Sequence, residues 1–447
     1  MFNRKKIRKK ESIANSKAFC MKPWVHLFVS QKGTVGPCCL ASWEPEDTFG
    51  DVNKTPIDDI WNGPGIRKFR KNMLADKPDS RCWQCYDNEK NGLRSTRRVV
   101  NFLYADHFDR ITATKRDGTS SAPPIFWDIR ISNLCNLRCR ICGHHSSSSW
   151  YDDAKATDSL SYESKIHRGP KDFTGLMDQL DTAIDGLEEV YFAGGEPLIM
   201  PEHFELLSEL VKRKKFDVKI RYSTNFSNVK FKEHDLLEIW KQFDDVFIHA
   251  SLDGAEANGM LQRKGLDWDL AVRNRQRMLE VCPKVDFMLT PTINIHNIFH
   301  LPELHKKCVT DGLIQVDEFI PHVLKNPAYY SISILPQQQK QAVEVLLKEH
   351  IEWILAYAEQ HPPEAPTEEQ IAKLGGNLHI LNVRHITGHV KLDIQLNELQ
   401  NCITYMHSRD DSHLIPEFVA HTNKLDELRQ EDTRQVIPEL APLWDFI

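Results

Sequence analysis

The chain has 447 residues, of which 27% are charged and 41% hydrophobic, and its formal net charge is -6. At roughly 150 residues per domain this length predicts about three domains, and the composition excludes wholesale disorder, collagen and coiled coil. No apolar stretch approaches the ~20 residues that a helix needs to cross a bilayer, so we expect neither a membrane span nor a membrane partner.

The chain begins with a strongly basic stretch. Six basic residues crowd the first ten positions: Arg4, Lys5, Lys6, Arg8, Lys9 and Lys10. We interpret residues 1–16 as a solvated, disordered tail, with nucleic-acid contact as the weaker alternative. No apolar segment of a signal peptide follows, and we therefore expect a cytoplasmic protein.

Cysteines are concentrated early in the sequence. Eight of the 11 lie in the first third of the chain: Cys20, Cys38, Cys39, Cys82, Cys85, Cys135, Cys139 and Cys142. In a reducing compartment such clustering indicates metal binding or catalysis rather than disulfides. The other three, Cys282, Cys308 and Cys402, are dispersed, and we expect them to be small core or surface residues.

The N-terminal part predicts a small cysteine-rich domain followed by a linker. Residues 17–97 combine the first cysteine group with several turn-forming sequences, including Asn62-Gly63-Pro64-Gly65, which is typical of a loop-rich, metal-stapled domain. A polar stretch from Lys115 to Pro124 ends the predicted linker, residues 98–124.

Residues 125–335 alternate short β-rich runs with helical ones, which is the signature of a parallel sheet built from βα units. The strand candidates are Ile125–Ile131, Glu188–Phe192, Val218–Ser223, Val246–Leu252, Val285–Leu289 and Ile314–Phe319. Six βα units are fewer than the eight of a closed barrel. The predicted fold is therefore α/β, with a partial (β/α)6 TIM-like barrel.

The last part of the chain predicts helices. Val343, Leu347 and Ile351 form an apolar stripe at helical spacing, and Leu396, Leu399 and Ile403 form another. We expect residues 336–447 to be a helical extension packed on the barrel or between protomers. For Asp426 and Arg429 near its end we expect a surface or packing role rather than a catalytic one.

The sharpest motif is a C-x3-C-x2-C loop formed by Cys135, Cys139 and Cys142, directly after the first predicted barrel strand. Active sites of βα barrels lie at the carboxyl ends of the strands, where this loop is expected. Three thiolates can hold three corners of a four-iron cluster and leave the fourth iron open. From spacing alone, half of a zinc site completed elsewhere is an alternative.

Further motifs end the following strands in chain order. They are Gly194-Gly195-Glu196-Pro197, then Ser223 and Asn225, then Ser251 and Asp253 in a Ser-Leu-Asp-Gly run, and then Arg263 before Gly265 and Trp268. Two glycines allow a ligand to approach the backbone, a carboxylate suits an ammonium group, and a guanidinium suits a carboxylate. Taken singly, each motif could be an ordinary turn or cap at a strand end.

Together with the cysteine loop, these motifs resemble the radical S-adenosylmethionine (SAM) superfamily. The resemblance runs from about Trp127 to Phe319. It implies that Cys135, Cys139 and Cys142 bind a 4Fe–4S cluster and that the residues at the strand ends bind SAM. It further implies reductive cleavage of SAM to a 5′-deoxyadenosyl radical, a reductant such as flavodoxin or ferredoxin, and hydrogen abstraction from a peptide or sugar-like substrate.

The first cysteine group can supply four thiolates, from Cys20, Cys38 or Cys39, Cys82 and Cys85, which is enough to close a cluster or a zinc site. The sequence around them resembles the SPASM module and, because only one cluster fits, its shortened twitch form more closely. The module usually follows the barrel, whereas here it precedes it. The resemblance implies a second, auxiliary 4Fe–4S cluster, with structural zinc as the alternative.

Two other functions stay open at this point. A zinc-stabilised nucleic-acid or protein binding module would be colourless and would carry zinc in both sites. A barrel that binds SAM without turning it over would form no 5′-deoxyadenosine.

Overall fold

The structure is a computed structural model that describes residues 16–41, 47–90, 95–362 and 389–446. The predicted basic tail lies outside the described residues except for Ser16. Within the described part of the chain, no helix combines the length and the apolar character needed to cross a bilayer.

Fourteen strands are found in the described residues. In chain order they are β1 (His26–Val29), β2 (Thr34–Gly36), β3 (Gly50–Asp51), β4 (Phe126–Ile129), β5 (Arg138–Cys139), β6 (Glu189–Phe192), β7 (Lys219–Thr224), β8 (Lys230–Phe231), β9 (His234–Asp235), β10 (Val246–Ala250), β11 (Arg263–Lys264), β12 (Asp286–Leu289), β13 (Thr292–Ile293) and β14 (His322–Val323).

The α-helices cover much of the rest. They are α1 (Lys22–Val25), α2 (Ile57–Trp61), α3 (Pro64–Leu74), α4 (Trp83–Lys90), α5 (Thr96–Leu103), α6 (Phe108–Thr112), α7 (Tyr151–Ala156), α8 (Phe173–Leu180), α9 (Pro201–Lys212), α10 (Leu236–Trp240), α11 (Glu256–Gln262), α12 (Trp268–Val281), α13 (Leu301–Thr310), α14 (Gln337–Gln360), α15 (His389–His407), α16 (Ile415–Arg429) and α17 (Thr433–Val436).

Eight strands form one sheet in the order β12-β10-β7-β6-β4-β1-β2-β3. The six strands from β12 to β1 are parallel, and β2 and β3 continue the sheet antiparallel. Trp127, Val190 and Ile220 are buried neighbours on β4, β6 and β7, in a row of apolar side chains that belongs to the main core. The expected α/β fold with a parallel, open sheet is confirmed.

One strand of this parallel set comes from the cysteine-rich N-terminal part. β1 pairs parallel with β4, with His26 opposite Phe126 and Val29 opposite Ile129, and all four β1 residues are buried. The regions predicted as residues 17–97 and 125–335 therefore share one sheet. Their division into separate domains remains a prediction.

The predicted linker, residues 98–124, is not an extended connection. It contains most of α5 and all of α6, because Val100 and Ile111 are buried with Trp24 in a second apolar cluster. The sixth predicted barrel strand, Ile314–Phe319, is also absent as a strand. Only Phe319 makes a parallel bridge, to Leu289.

The predicted helical character of the C-terminal part agrees with α14 to α17 over the residues that are described. Val343 and Leu347 on α14 are fully buried, and so is Leu399 on α15. The apolar stripes therefore face the main core, which these helices extend.

Candidate functional site

The three-cysteine loop follows the carboxyl end of β4 and is fixed by its neighbours. β5, which contains Cys139, pairs antiparallel with β11. The Ser149 hydroxyl donates to the Cys135 carbonyl at 2.7 Å, and the Trp150 indole donates to the Cys139 carbonyl at 2.8 Å. The Ser147 hydroxyl donates to the Leu137 carbonyl at 2.6 Å. These partners were not predicted from the sequence, although a run of serines next to the cysteine motif is a visible signal.

Cys135, Cys139 and Cys142 line one cavity of about 390 Å³ at the carboxyl ends of β4, β6, β7 and β10. The structure brings most of the predicted SAM-binding residues to the same cavity: Gly194, Gly195, Glu196, Ser223, Asn225, Ser251 and Arg263. Pro197 and Asp253 do not line this cavity. Arg130 and Tyr191, which are not among the predicted SAM-binding residues, also line it.

Glu196 links the carboxyl ends of β6 and β7 through hydrogen bonds. Its buried carboxylate accepts hydrogen bonds from the Thr224 hydroxyl at 2.6 Å, the Asn225 backbone N–H at 2.8 Å and the Leu198 backbone N–H at 3.1 Å. Burial raises the pKa of Glu196 to about 6, against the lowering effect of these donors. The carboxylate is therefore ionised at neutral pH.

The two glycines before Glu196 allow close packing against the cysteine loop. A Cβ atom on Gly195 would lie 2.2 Å from the Leu134 carbonyl oxygen, and Gly194 has a positive φ of +125°. The Glu196 N–H donates to that same Leu134 carbonyl at 2.7 Å. Here the glycines are required by backbone contact with the loop, in addition to the ligand contact that the sequence predicts.

Polar side chains at the ends of β6 and β7 make two further contacts around the cavity. The Asn225 amide donates to the Asn136 side-chain oxygen at 2.9 Å, and Asn136 lies between Cys135 and Cys139. The Ser223 and Tyr191 hydroxyls are 2.6 Å apart. These contacts hold the two sides of the cavity in a fixed relation.

Arg263 lies against the sulfur atoms. Its guanidinium donates to Cys139 Sγ at 3.5 Å and pairs with the buried Asp253 carboxylate at 2.8 Å. The predicted partner for Arg263 was the SAM carboxylate, whereas in the structure Asp253 and Cys139 already contact it. A guanidinium next to sulfur favours a thiolate, which suits a metal ligand.

The donor set fits an iron–sulfur cluster chemically. Burial raises the pKa of Cys142 to about 12 and also raises the pKa of Cys135 and Cys139; neighbouring thiolates add to the effect at Cys135 and Cys142, and Asp253 adds to it at Cys139. A bound cation would remove this penalty by replacing the protons. Among the described residues, no three His, Cys, Asp or Glu side chains converge closely enough to hold a single metal ion.

The N-terminal cysteines form a second, smaller site. Cys20, Cys38, Cys82 and Cys85 line a cavity of about 30 Å³ together with Lys22, Arg97 and apolar side chains. Cys39 does not line this cavity. Burial raises the pKa of Cys20 to about 12 and also raises that of Cys82 and Cys85. The structure therefore gathers four of the five N-terminal cysteines around one small space.

Comparison with known families agrees with both sites. A family model of the radical SAM superfamily matches residues 129–301, which include the three-cysteine loop, Gly194 to Pro197 and Arg263. A family model described as an iron-sulfur cluster-binding domain, SPASM, matches residues 20–86, which include all five N-terminal cysteines.

Individual proteins are more distant. A 7,8-dihydro-6-hydroxymethylpterin dimethyltransferase of Methanocaldococcus jannaschii is 27% identical over 174 residues, which is 38% of this chain and 30% of that protein. The solved structure of native anSMEcpe with bound AdoMet is 18% identical, with a TM-score of 0.36, over 50% of this chain and 58% of its own. Streptococcus suis SuiB bound to S-adenosylmethionine is 16% identical, with a TM-score of 0.38, over 67% of this chain and 61% of its own. The chain spans less than two thirds of each of these proteins.

The two family models define the class to which the matched regions belong. The chain contains a radical SAM region, residues 129–301, and an iron–sulfur cluster-binding SPASM domain, residues 20–86. Its SPASM domain precedes the radical SAM region instead of following it, and the two families imply iron–sulfur clusters and SAM binding.

Proposed function

We propose that this enzyme reductively cleaves SAM at a 4Fe–4S cluster held by Cys135, Cys139 and Cys142. The cluster and SAM would supply a one-electron cleavage of a C–S bond, giving a 5′-deoxyadenosyl radical that takes a hydrogen atom from a peptide or sugar-like substrate. The observation that supports this most strongly is that three thiols share one polar cavity with Gly194 to Glu196 and Arg263.

The residues around the cavity would each have a defined role. The backbone at Gly194 and Gly195, with Glu196 and Pro197 following, would receive the methionyl amine of SAM. Ser223, Asn225 and Ser251 offer hydroxyl and amide groups to its ribose and carboxylate. Arg263, oriented by Asp253, would offset part of the cost of burying the Cys139 thiolate and has further N–H donors for an anionic group. Fixed donors in a buried cavity bind charge with little reorganisation.

We further propose that Cys20, Cys38, Cys82 and Cys85 hold a second, auxiliary 4Fe–4S cluster. The shared small cavity supports Cys38 rather than Cys39 as the fourth ligand. With all four ligands supplied by the chain, this site would have no open position. The match to an iron-sulfur cluster-binding domain favours iron over the zinc alternative.

Substrate, reductant and location follow from the same chemistry. The sheet is not closed into a barrel, since β12 and β3 form its two edges, which suits a bulky substrate such as a peptide or a sugar-like molecule. Each cleavage consumes one electron, so an external carrier such as flavodoxin or ferredoxin is required. Buried, unpaired thiols are kept reduced in the cytoplasm, where we propose that the enzyme acts.

The test is anaerobic reconstitution followed by metal analysis and turnover. We expect about eight iron atoms and eight sulfides per chain for two four-iron clusters, and 5′-deoxyadenosine after incubation with dithionite and SAM. Cys282→Ala, which removes a buried cysteine outside both sites, is the matched control and should behave as the wild type. Zinc in both sites, with no 5′-deoxyadenosine, would instead identify a zinc-stabilised binding module.

A further inference from the structure

The three-cysteine loop contacts the C-terminal part of the chain through Arg140, which lies between Cys139 and Cys142. The Arg140 side chain is completely buried. Its guanidinium forms ion pairs with Asp426 and, at 2.7 Å, with Glu431. Asp426 lies on α16 and Glu431 two residues after that helix ends. A buried guanidinium requires such counter-charges because desolvation of an unpaired charge is costly.

Lys264 makes a second set of contacts between the cysteine-loop region and residues 429–431. Glu431 also pairs with Lys264 at 3.1 Å, and Lys264 donates to the Arg429 carbonyl at 2.6 Å. Lys264 is the β11 residue opposite Arg138 on β5. The contacts of Glu431 therefore reach β11, which pairs with β5, and Arg140, the loop residue that directly follows β5.

Arg429 reaches the other side of the loop. Its guanidinium pairs with the buried Asp153 at 2.9 Å, and Asp153 also pairs with Arg138 at 2.9 Å. The same guanidinium stacks 4.6 Å from the ring of Trp150, whose indole donates to the Cys139 carbonyl. The two residues that flank Cys139, Arg138 and Arg140, are thus both connected to residues 426–431.

Residues 426–431 are themselves held by hydrogen bonds and by the packing of α16. Asp426 accepts hydrogen bonds at 2.9 Å from both the backbone N–H and the hydroxyl of Thr433. Gln430 closes the helix in a left-handed conformation, and the Glu431 N–H donates to the Asp426 carbonyl. Helix α16 is held in the main core by Phe418 and Val419. The ion-pairing groups therefore sit on a fixed support.

We propose that residues 426–431, which we call the C-terminal clamp, position the three-cysteine loop. Asp426, Glu431 and Arg429 hold Arg140 and Arg138, and through them the three sulfur atoms, in the arrangement that one cluster requires. The carboxylates of Asp426 and Glu431 also add negative charge near the cluster, which affects its reduction potential. This inference rests on the proposed function, and it makes Asp426, Arg429 and Glu431 positioning residues, whereas the sequence suggests a surface or packing role for Asp426 and Arg429.

The test compares Asp426→Asn and Glu431→Gln with Glu427→Gln. Each variant removes one negative charge, but Glu427 is 76% exposed and pairs only weakly with Lys424 on the same helix. Asparagine at position 426 keeps an oxygen for Thr433, so the variant removes charge with little change of shape. The first readout is hydrogen exchange of residues 135–142 in protein without a cluster, which we expect to be faster in both clamp variants and unchanged in the control.

The second readout is made on reconstituted protein. Removal of residues that orient metal ligands costs about 10- to 100-fold in metal affinity, so iron loss to a chelator should be about tenfold faster in the clamp variants. The reduction potential of the SAM-responsive cluster should rise, because fewer nearby carboxylates favour the more negative reduced state. A purely structural role of the clamp would not produce a shift of this sign.

The outcomes separate the two hypotheses. If Asp426→Asn and Glu431→Gln match Glu427→Gln in exchange, iron loss and potential, the clamp does not exist. If the wild type assembles no SAM-responsive cluster, the proposed function fails, and hydrogen exchange in cluster-free protein still decides whether residues 426–431 order the loop.

Discussion

The two cysteine sites use the same ligand chemistry in contrasting surroundings. The N-terminal site places four cysteines around a cavity of about 30 Å³, whose other walls include apolar side chains such as Phe69 and Met73. The loop site places three cysteines on a cavity of about 390 Å³ that also presents a carboxylate, hydroxyls and a guanidinium. Burial raises the thiol pKa in both sites.

The difference explains how one chain could hold the closed and the open metal centre that we propose. The number of cysteines fixes how many corners of a cluster the protein occupies, and the space beside them fixes whether another molecule can take the remaining corner. In the N-terminal site, four cysteines are available for the four corners of a cluster, and the small cavity leaves no room for another molecule. In the loop site, three cysteines leave one corner without a protein ligand, and the larger cavity has room and polar groups for a charged ligand.

Removing the three loop cysteines should have the largest effect. We expect the triple variant Cys135→Ala, Cys139→Ala, Cys142→Ala to form no 5′-deoxyadenosine and to retain about half of the wild-type iron, all of it in the N-terminal site. Product chromatography and iron analysis measure the two quantities. Continued formation of 5′-deoxyadenosine would show that the catalytic cluster lies elsewhere.

Removing two N-terminal cysteines should act mainly on stability. In Cys82→Ala, Cys85→Ala the auxiliary cluster should be lost, and the free energy of unfolding should fall by several kcal/mol because metal binding there is coupled to folding. The measurement is thermal unfolding followed by circular dichroism, with and without reconstitution. SAM cleavage in the absence of substrate should persist, and its complete loss would contradict the independence of the two sites.

The adjacent pair Cys38 and Cys39 tests which residue belongs to the closed site. Because only Cys38 lines the N-terminal cavity, Cys38→Ala should lose the auxiliary cluster and Cys39→Ala should keep it. Iron content and visible absorbance of the two reconstituted variants provide the comparison. The reverse result would exchange the ligand assignment.

The smallest expected effect is a pH dependence of SAM binding at the three-cysteine cavity. Glu196 has a pKa raised by burial to about 6, so lowering the pH below 6 protonates a carboxylate at the SAM cavity. The ratio of SAM affinities between the wild type and Glu196→Gln should be constant above pH 6. Below it, the ratio should fall about tenfold per pH unit if only the ionised form supports binding.

Isothermal titration on reconstituted protein at several pH values measures this ratio. Iron retention by the N-terminal site is the internal reference, since the side chains that line its cavity include no carboxylate. Parallel pH profiles for the wild type and Glu196→Gln would remove Glu196 from the binding site.

The sequence was sufficient to predict the features that depend on local pattern. Five of the six predicted barrel strands are present, because buried β-rich runs alternate with helices such as α9 and α12. The strand-end motifs meet at one cavity because parallel strands align their carboxyl ends. The pairing of β1 with β4 in this sheet was not predictable, since a four-residue buried run does not specify its partner strand.

Other features depend on long-range packing. Gly195 is required by the Leu134 carbonyl, a contact that no spacing rule indicates. Arg140 and Asp426 are 286 positions apart, and their ion pair follows only from how α16 packs. Charged residues at such positions have the same appearance in a sequence whether they lie on the surface or pair in the interior.

The most direct measurement of the open coordination position is hyperfine spectroscopy of the reduced cluster with SAM carrying ¹⁵N in its amino group. We predict a magnetic coupling between that nitrogen and the cluster bound by Cys135, Cys139 and Cys142, and its disappearance in the triple alanine variant. Absence of this coupling, together with evidence for a fourth ligand from the protein, would contradict the proposed function.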